Sequence, residues 1–336
     1  MAIRCILVRT QSSPAPEAGL EGTNGMSQSS AEESPHDVDF GPVRVLFGKR
    51  QGRYPDGNSI LVRGAQQTIL IDPAVGLHSR ETPLPHIDQI ILSHCHEDHI
   101  AGLPLFPKAP VHVHEFDRPG LDNFESMCAI YGYPPSIMDL FANVIKESFH
   151  YETRPDALSF QDNDVFELGE GVTIRVIHSP GHTRGHSCFS IEWLEDNFKR
   201  SFLYLGDIEL TSFGPYYGDA WSNLEDFEHT LAHVRTLKAD WYGTFHHIGV
   251  LDNQADFLDR MDRFTHVILK REQALLDFLT VARSFQEVRE HRFVFRPHDT
   301  SPHIEAVEAR SMQMHIDRLI KQGRVERDQT GRLIAL

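Results

Sequence analysis

The run Ser93-His94-Cys95-His96-Glu97-Asp98-His99 places three imidazoles and two carboxylates within six residues. Neutral imidazole is the commonest side-chain metal ligand, and a mixture of imidazole with carboxylate is the donor set of a cation site. The run follows the apolar stretch Asp88–Leu92. Two ligands at i and i+2 beyond a strand, His94 and His96, can point the same way. A helix beginning near Asp98 then turns Asp98 and His99 toward a second position, a geometry that can hold two cations a few ångströms apart. Cys95, between two ligands, is expected to point away and to serve as a small buried apolar residue.

Three later elements could complete such a site. Ser179-Pro180-Gly181-His182-Thr183-Arg184-Gly185-His186-Ser187 again follows an apolar stretch. Gly181 lets the backbone bend there, and His182 stands at the bend. His186 is expected to buttress the loop rather than to ligate. Leu205-Gly206-Asp207 sets an acid at a strand end, a natural bridge between two cations. Phe245-His246-His247-Ile248-Gly249-Val250 closes the set, with His246 and His247 both available as the last ligand.

The elements that must carry these side chains alternate between strands and helices. Strands are expected at Val43–Phe47, Ser59–Val62, Thr68–Ile71, Asp88–Leu92 and Val111–His114. A second run falls at Asp164–Phe166, Val172–Ile177, Ser187–Trp193, Phe202–Leu205 and Trp241–Phe245. Helical spacing occupies about 116–149, broken at Pro119-Gly120 and Pro134-Pro135, and recurs at Leu224–Leu237 and Phe257–Leu279. Two strand-rich halves with helices between them predict an α+β fold of packed mixed sheets covered by helices. Thr10–Asp37 is rich in Ser, Pro, Gly and Glu and reads as unstructured. A helix at Met312–Gln322 and a hairpin from Gly323 to Ile334 suggest a small winged-helix-like module. The division expected is 1–40 unstructured, 41–270 catalytic and 271–336 the C-terminal module.

The chain has 336 residues, 40% apolar and 24% charged, with no apolar run long enough for a transmembrane helix. Its formal net charge of −16 argues against a phosphate-tracking surface, so nucleic acid is not an expected partner. Cys5, Cys95, Cys128 and Cys188 form no CxxC pair, which fits a reducing, cytoplasmic setting. A small-molecule substrate, no membrane, and a chain compatible with a homodimer are the remaining expectations.

The four elements, in this order and at these spacings, resemble the metallo-β-lactamase fold superfamily, over roughly Val43 to Leu279. His94, His96, Asp98 and His99 match its HxHxDH signature, His182 its GHT loop, Asp207 its bridging acid and His247 its last ligand. The resemblance implies a four-layer αβ/βα sandwich with two divalent metal ions at one edge, Zn foremost, with Fe or Mn as alternatives. It implies one site from His94, His96 and His182 and another from Asp98, His99 and His247, bridged by Asp207. His247 is preferred to His246 because the family has a Gly-containing turn just after that ligand. Within the superfamily the chain looks most like the glyoxalase II-like branch with an appended tail.

The chemistry so implied is attack by a metal-bridged hydroxide on a thioester, ester or lactone. With a single metal bound, Asp98 would act as general base. Rival readings are an iron-dependent sulfur dioxygenase built on His94, His182 and Asp207, an RNA nuclease, and a regulatory protein that keeps the metals. Aromatic residues of the 116–151 insert, and Phe213, Tyr216, Tyr217 and Trp221, are placed to pack the insert or to roof the site.

Overall fold

The computed structural model of this protein describes residues 37–336. Cys5 and nearly all of the segment expected to be unstructured lie outside the described residues. Fifteen strands are present among the described residues. The first sheet has the order β1 (Val38–Phe40), β2 (Val43–Leu46), β3 (Ser59–Arg63), β4 (Thr68–Ile71), β5 (Gln89–Ile91), β6 (Val111–His114) and β7 (Leu158–Phe160). It is antiparallel through β4 and parallel from β4 to β7. The second has the order β13 (Val250–Leu251), β12 (Trp241–Gly243), β11 (Phe198–Tyr204), β10 (Ser187–Glu195), β9 (Val172–His178) and β8 (Val165–Gly169). Strands β14 (Val325–Arg327) and β15 (Leu333–Ala335) form the terminal hairpin.

Period-two alternation puts each sheet between two apolar layers. In β3, Ile60 and Val62 enter the core between the sheets while Leu61 turns to the outer layer; in β4, Ile69 and Ile71 go inward and Leu70 outward. In β11, Phe202 and Tyr204 face the first sheet, and Leu203 faces the helices. These stretches are apolar on both faces, as doubly covered strands require.

A left-handed turn, α1 (Lys49–Gly52), and a single-turn helix, α2 (Glu97–Ile100), flank the sheet edge. Helices α3 (Phe124–Tyr131) and α4 (Pro135–Ser148) cover the first sheet through Met127, Ile130 and Ile145. Helices α5 (Leu224–Val234) and α6 (Gln254–Phe278) cover the second through Phe227, Leu231, Phe257 and Phe264. Asn223 and Asn253 cap α5 and α6 with side-chain oxygens on the Asp226 and Asp256 amides. The layers therefore run helix, sheet, sheet, helix, and the architecture expected from the sequence is the one found.

Helices α7 (Phe285–His291) and α8 (Ile304–Lys321) pack with the hairpin around Leu275, Leu279, Val288, Met312, Ile316, Leu319 and Leu333. Helix α6 crosses position 270 without a break, so the catalytic layers and the C-terminal cluster share one rod. Strand β1 pairs with β2 from Val38 onward, within the stretch 1–40 expected to be unstructured. No helix among the described residues is long and apolar enough to cross a membrane.

Candidate metal centre

All the chemistry-bearing runs meet at one edge of the sandwich. Asp72 follows β4, His94 to His99 follow β5, His182 lies between β9 and β10, Asp207 follows β11, and His246 follows β12. Parallel neighbours put their C-terminal ends side by side, so β4 and β5 in one sheet and β11 and β12 in the other aim their exits at the same place.

Two groups of ligand atoms face each other there. In the first, His96 Nδ1 lies 3.0 Å from His94 Nε2 and 2.9 Å from His182 Nε2. Asp207 Oδ2 lies 3.3 Å from His182 Nε2 and 4.0 Å from His94 Nε2. In the second, His246 Nε2 lies 2.9 Å from Asp98 Oδ2, and His99 Nε2 lies 4.0 Å from Asp98 Oδ1. Asp207 Oδ1 is 3.0 Å from His99 Nε2 and 3.9 Å from His246 Nε2. One carboxylate oxygen of Asp207 thus serves each group, the position of a bridging ligand.

The outward faces of the rings decide what the inward faces can do. His99 Nδ1 donates to Asp72 Oδ2 at 2.9 Å, His182 Nδ1 to the Tyr216 carbonyl at 3.0 Å, and His246 Nδ1 to the Gly52 carbonyl at 2.7 Å. Ser93 Oγ spends its proton on Asp72 and accepts from His94 Nδ1 at 3.0 Å. His96 Nε2 faces Asp219 Oδ2 at 3.3 Å, close enough for ion pairing though not aligned as a hydrogen bond. Each outward nitrogen so holds a proton, which leaves each inward one as the atom able to offer a lone pair to a cation. Nitrogens of three buried imidazoles, with His96 Nδ1 at 2.9 and 3.0 Å from the other two, make a donor set that a divalent cation would satisfy, so the residues fit the ions that the sequence led us to expect.

The charges agree. Burial opposes protonation of His246, yet the carboxylates of Asp207 and Asp98 push it up to about 10. Burial likewise opposes, and Asp207, Asp72 and Asp98 override it, in raising His99 well above the usual imidazole range. His94, which no carboxylate touches closely, is driven down by burial and by the neighbouring His99, His96 and His182. The second group is thus an anionic hole that positive charge must fill.

Buried hubs hold the ligands from behind. Asp72 accepts from the Ser93 amide at 2.6 Å, Ser93 Oγ at 2.5 Å and Tyr204 OH at 2.8 Å, besides His99. Asp117 ties the first motif to the His182 loop, accepting from Thr183 Oγ1 and the Gly185 amide at 2.7 Å each and the Cys95 amide at 3.3 Å. Gly181 has φ +130°, and a Cβ there would lie 2.3 Å from Phe227 Cα, so only glycine lets the loop rest on α5. His186 Nδ1 donates to the Ser179 carbonyl, and its Nε2 accepts from the Asp207 amide at 3.1 Å. Burial pushes it down to about 3, so it stays neutral, as a buttress must. Cys95 Sγ points to the Asp117 carbonyl, away from both groups.

His247 is the residue the structure does not bring to the cluster. Thr244 Oγ1 and the Ile248 amide both donate to the His246 carbonyl, at 2.7 Å each, so the turn begins at His246. His247 takes a left-handed backbone, φ +63°, and its side chain swings outward to 3.9 Å from Glu209 Oε2. The last position of the second group is filled by His246, where the sequence reading preferred His247. The turn glycine, Gly249, sits one residue farther from the ligand than that reading assumed.

Sequence reasoning missed four participants: Asp72, Asp219, Glu97 and Glu209. Asp72 carried the same signal as Asp207, an acid at the end of an apolar strand. Glu97 accepts from Tyr54 OH at 2.9 Å and from Tyr131 OH, whose ring stacks on His96 at 5.3 Å. Burial and the nearby Asp98 raise Glu97. Burial, against the pull of His246 and with the push of Asp207, raises Glu209 to about 7. Of the aromatic residues, Tyr131, Tyr133 and Tyr216 border the first group, Tyr133 and Tyr216 through Asp219 at 3.4 and 3.3 Å. Tyr217 is instead buried against His315.

The profile of the metallo-beta-lactamase superfamily matches residues 53–246. The acyl-coenzyme A thioesterase MBLAC2 of Homo sapiens is 28% identical over 183 residues, 48% of this chain and 63% of its own length. An atrochrysone carboxyl ACP thioesterase of Paecilomyces divaricatus is 28% identical over 210 residues, 59% of this chain and 51% of its own. The chain therefore spans between half and two thirds of these relatives. A metallo-beta-lactamase family protein from Thermus thermophilus superposes with a TM-score of 0.63 at 21% identity, over 88% of this chain and 99% of that one. A beta-lactamase domain protein from Burkholderia ambifaria gives 0.64 at 15%, over 92% and 96%. With the fold, the paired ligand groups and the family match in agreement, the chain belongs to the metallo-beta-lactamase superfamily.

Proposed function

We propose that this protein is a metal-dependent thioesterase, hydrolysing the bond between an acyl group and a thiol carrier. The observation that carries the reading is the pair of ligand groups with Asp207 between them, one oxygen toward His182 and the other toward His99, and two relatives named as thioesterases support the choice of bond. Divalent cations held by His94, His96, His182 and Asp207, and by Asp98, His99, His246 and Asp207, would supply an activated water at neutral pH and a Lewis acid for the carbonyl oxygen.

The protein's own side chains suit that bond. A thiol leaves readily as thiolate, its pKa being about 8.5, so no strong general acid is required. Asp98 and Asp207 are the carboxylates able to orient the attacking water and to take its proton. Tyr54, 46% exposed, stands at the rim with its hydroxyl on Glu97, and its ring lies 6.2 Å from that of His246. The complete second group favours this reading over a single-iron dioxygenase built on His94, His182 and Asp207. The glyoxalase II-like lineage, zinc as the metal, and a cytoplasmic setting are part of this proposal.

The test is to load metal-free protein with zinc, manganese or iron(II). Turnover is then measured on acyl-coenzyme A and an acyl-N-acetylcysteamine, with free thiol followed by a disulfide reagent, and on a lactone, a carboxylic ester and a phosphodiester, with the acid released followed by a pH indicator. Thioester hydrolysis well above the other bonds is expected. Stoichiometric metal with no thioester turnover would overturn the proposal.

A further inference from the structure

Glu209 is placed like a ligand without belonging to the expected set. After β11 the chain reads Asp207-Ile208-Glu209-Leu210. Ile208 and Leu210 are buried in the apolar layer under α5 and α6. In the irregular backbone after β11, Asp207 and Glu209 are instead brought together beside His246. A carboxylate oxygen of Glu209, one of Asp207 and a ring nitrogen of His246 all lie within 4.8 Å of one another. Ligands opposite each other across a manganese or zinc ion are separated by about 4.2 Å, twice the usual bond length, so a small side-chain adjustment suffices. The other contacts of Glu209 are weak: Thr211 Oγ1 at 3.5 Å and His247 Nε2 at 3.9 Å. Its side chain is 24% exposed, which puts it on the open side of the group.

We propose that Glu209 is a further carboxylate ligand of the second cation, and that the two cation positions consequently differ in metal preference. The inference rests on the dinuclear reading above. The first position offers three imidazoles and one oxygen of Asp207, a set suited to zinc. The second offers two imidazoles and three carboxylates, from Asp98, Asp207 and Glu209. Oxygen-rich sets with more than four donors suit manganese and other hard, six-coordinate ions. Glutamate at 209 therefore selects the ion on the side of the site where His246 and the half-buried His247 stand.

The experiment titrates metal-free wild type, Glu209→Gln and Glu209→Asp with Zn(II) and Mn(II) separately. Stoichiometry and affinity are read by competition with a chromophoric chelator, and Mn(II) by its paramagnetic resonance signal. Wild type is expected to take two equivalents. Gln is nearly isosteric with Glu, so E209Q should keep its fold and its first zinc equivalent. It should lose tenfold or more in Mn(II) affinity at the second position, with a smaller loss for Zn(II). E209D, which keeps the charge, should recover part of that loss. Unchanged Mn(II) affinity and an unchanged Mn(II)-to-Zn(II) ratio in E209Q would overturn the role of Glu209 while leaving the dinuclear reading intact. A wild type that binds fewer than two equivalents of either ion would instead overturn the dinuclear reading.

Discussion

Replacing Asp72 by Asn alters one atom and should disable the second group without touching a proposed ligand. Asp72 Oδ2 receives three hydrogen bonds, from Ser93 Oγ at 2.5 Å, His99 Nδ1 at 2.9 Å and Tyr204 OH at 2.8 Å. In Asp72→Asn one oxygen becomes an NH2. If the remaining oxygen keeps the Ser93 amide, at 2.6 Å, the NH2 faces three donors. His99 can relieve its share only by moving its proton from Nδ1 to Nε2, which points a donor at Asp207 and removes the lone pair from the centre. Loss of such an orienting partner costs about 10–100-fold in metal affinity, or about 1.4–2.8 kcal/mol. The leftover buried donors cost a further 1–3 kcal/mol or so of fold stability. Metal-free variant and wild type should be melted side by side and then titrated against a chelator. The expected result is a weakened second equivalent, a first equivalent within a few-fold of wild type, and a lower Tm. A second-equivalent affinity within twofold of wild type would refute the claim that Asp72 sets the His99 tautomer.

Other expectations follow from single contacts. His246→Ala should lose the second metal equivalent, and His247→Ala should keep both within a few-fold, by the same titration; the reverse order would reinstate His247 as the ligand. Arg310 of α8 donates to the carbonyls of Tyr131, Gly132 and Gly218, bridging the insert to the loop that carries Asp219. Arg310→Met should cost about 2–4 kcal/mol by denaturant unfolding, since hydrogen bonds from a charged group are worth about 1.5–3 kcal/mol each and are not additive. It should also raise KM more than it lowers kcat. Glu272 is lowered from 4.5 to about 2 by hydrogen bonding with His315, against burial, and by the Arg318 guanidinium. A carboxyl depressed in the fold stabilises it above its unfolded pKa, and that contribution drains away as pH falls from 4.5 toward 2. Acid unfolding of Glu272→Gln should therefore be less steep across that window than that of wild type.

The architecture was legible where side-chain period and burial coincide. Val43, Ile60, Ile69 and Ile174 announce their strands because each occupies the inward face of a doubly covered sheet. Short edge elements escaped. Val38–Phe40, Leu158–Phe160 and Val250–Leu251 are two or three residues long and too brief to show a period. The ligand runs were legible because their residue types are costly to bury without a cation or a partner. The choice between His246 and His247 was not, since it depends on where Thr244 starts the turn, one residue earlier than the glycine suggests. Asp219 was illegible for a different reason. It lies in an irregular loop, and only the folded path brings it within 3.3 Å of His96.

That loop shows how the site depends on residues that touch no ligand. Strand ends fix Asp72, His94 and Asp207, but the acceptors behind His182 and His246 are the carbonyls of Tyr216 and Gly52, both in irregular backbone. A carbonyl in a loop orients an imidazole only if the loop cannot move. Around Gly52 the lock is Asn58, which is fully buried, holds the Gln51 carbonyl at 3.0 Å and accepts from the Gly48 amide at 3.1 Å. This keeps Arg50 and Gln51 in left-handed backbone that neither would adopt freely. Around Tyr216 the lock is Arg271, donating to the carbonyls of Phe213 and Pro215 at 2.7 and 2.6 Å and to Tyr217 OH at 3.1 Å. Arg271 stands on α6, whose later residues Leu275 and Leu276 anchor the C-terminal cluster. The C-terminal helices are therefore joined to His182 by a continuous path of buried contacts, through α6, Arg271 and the Tyr216 carbonyl. Disturbing them should disturb the first ligand group, which rests on His182, before the second, which rests on Asp72 and Asn58.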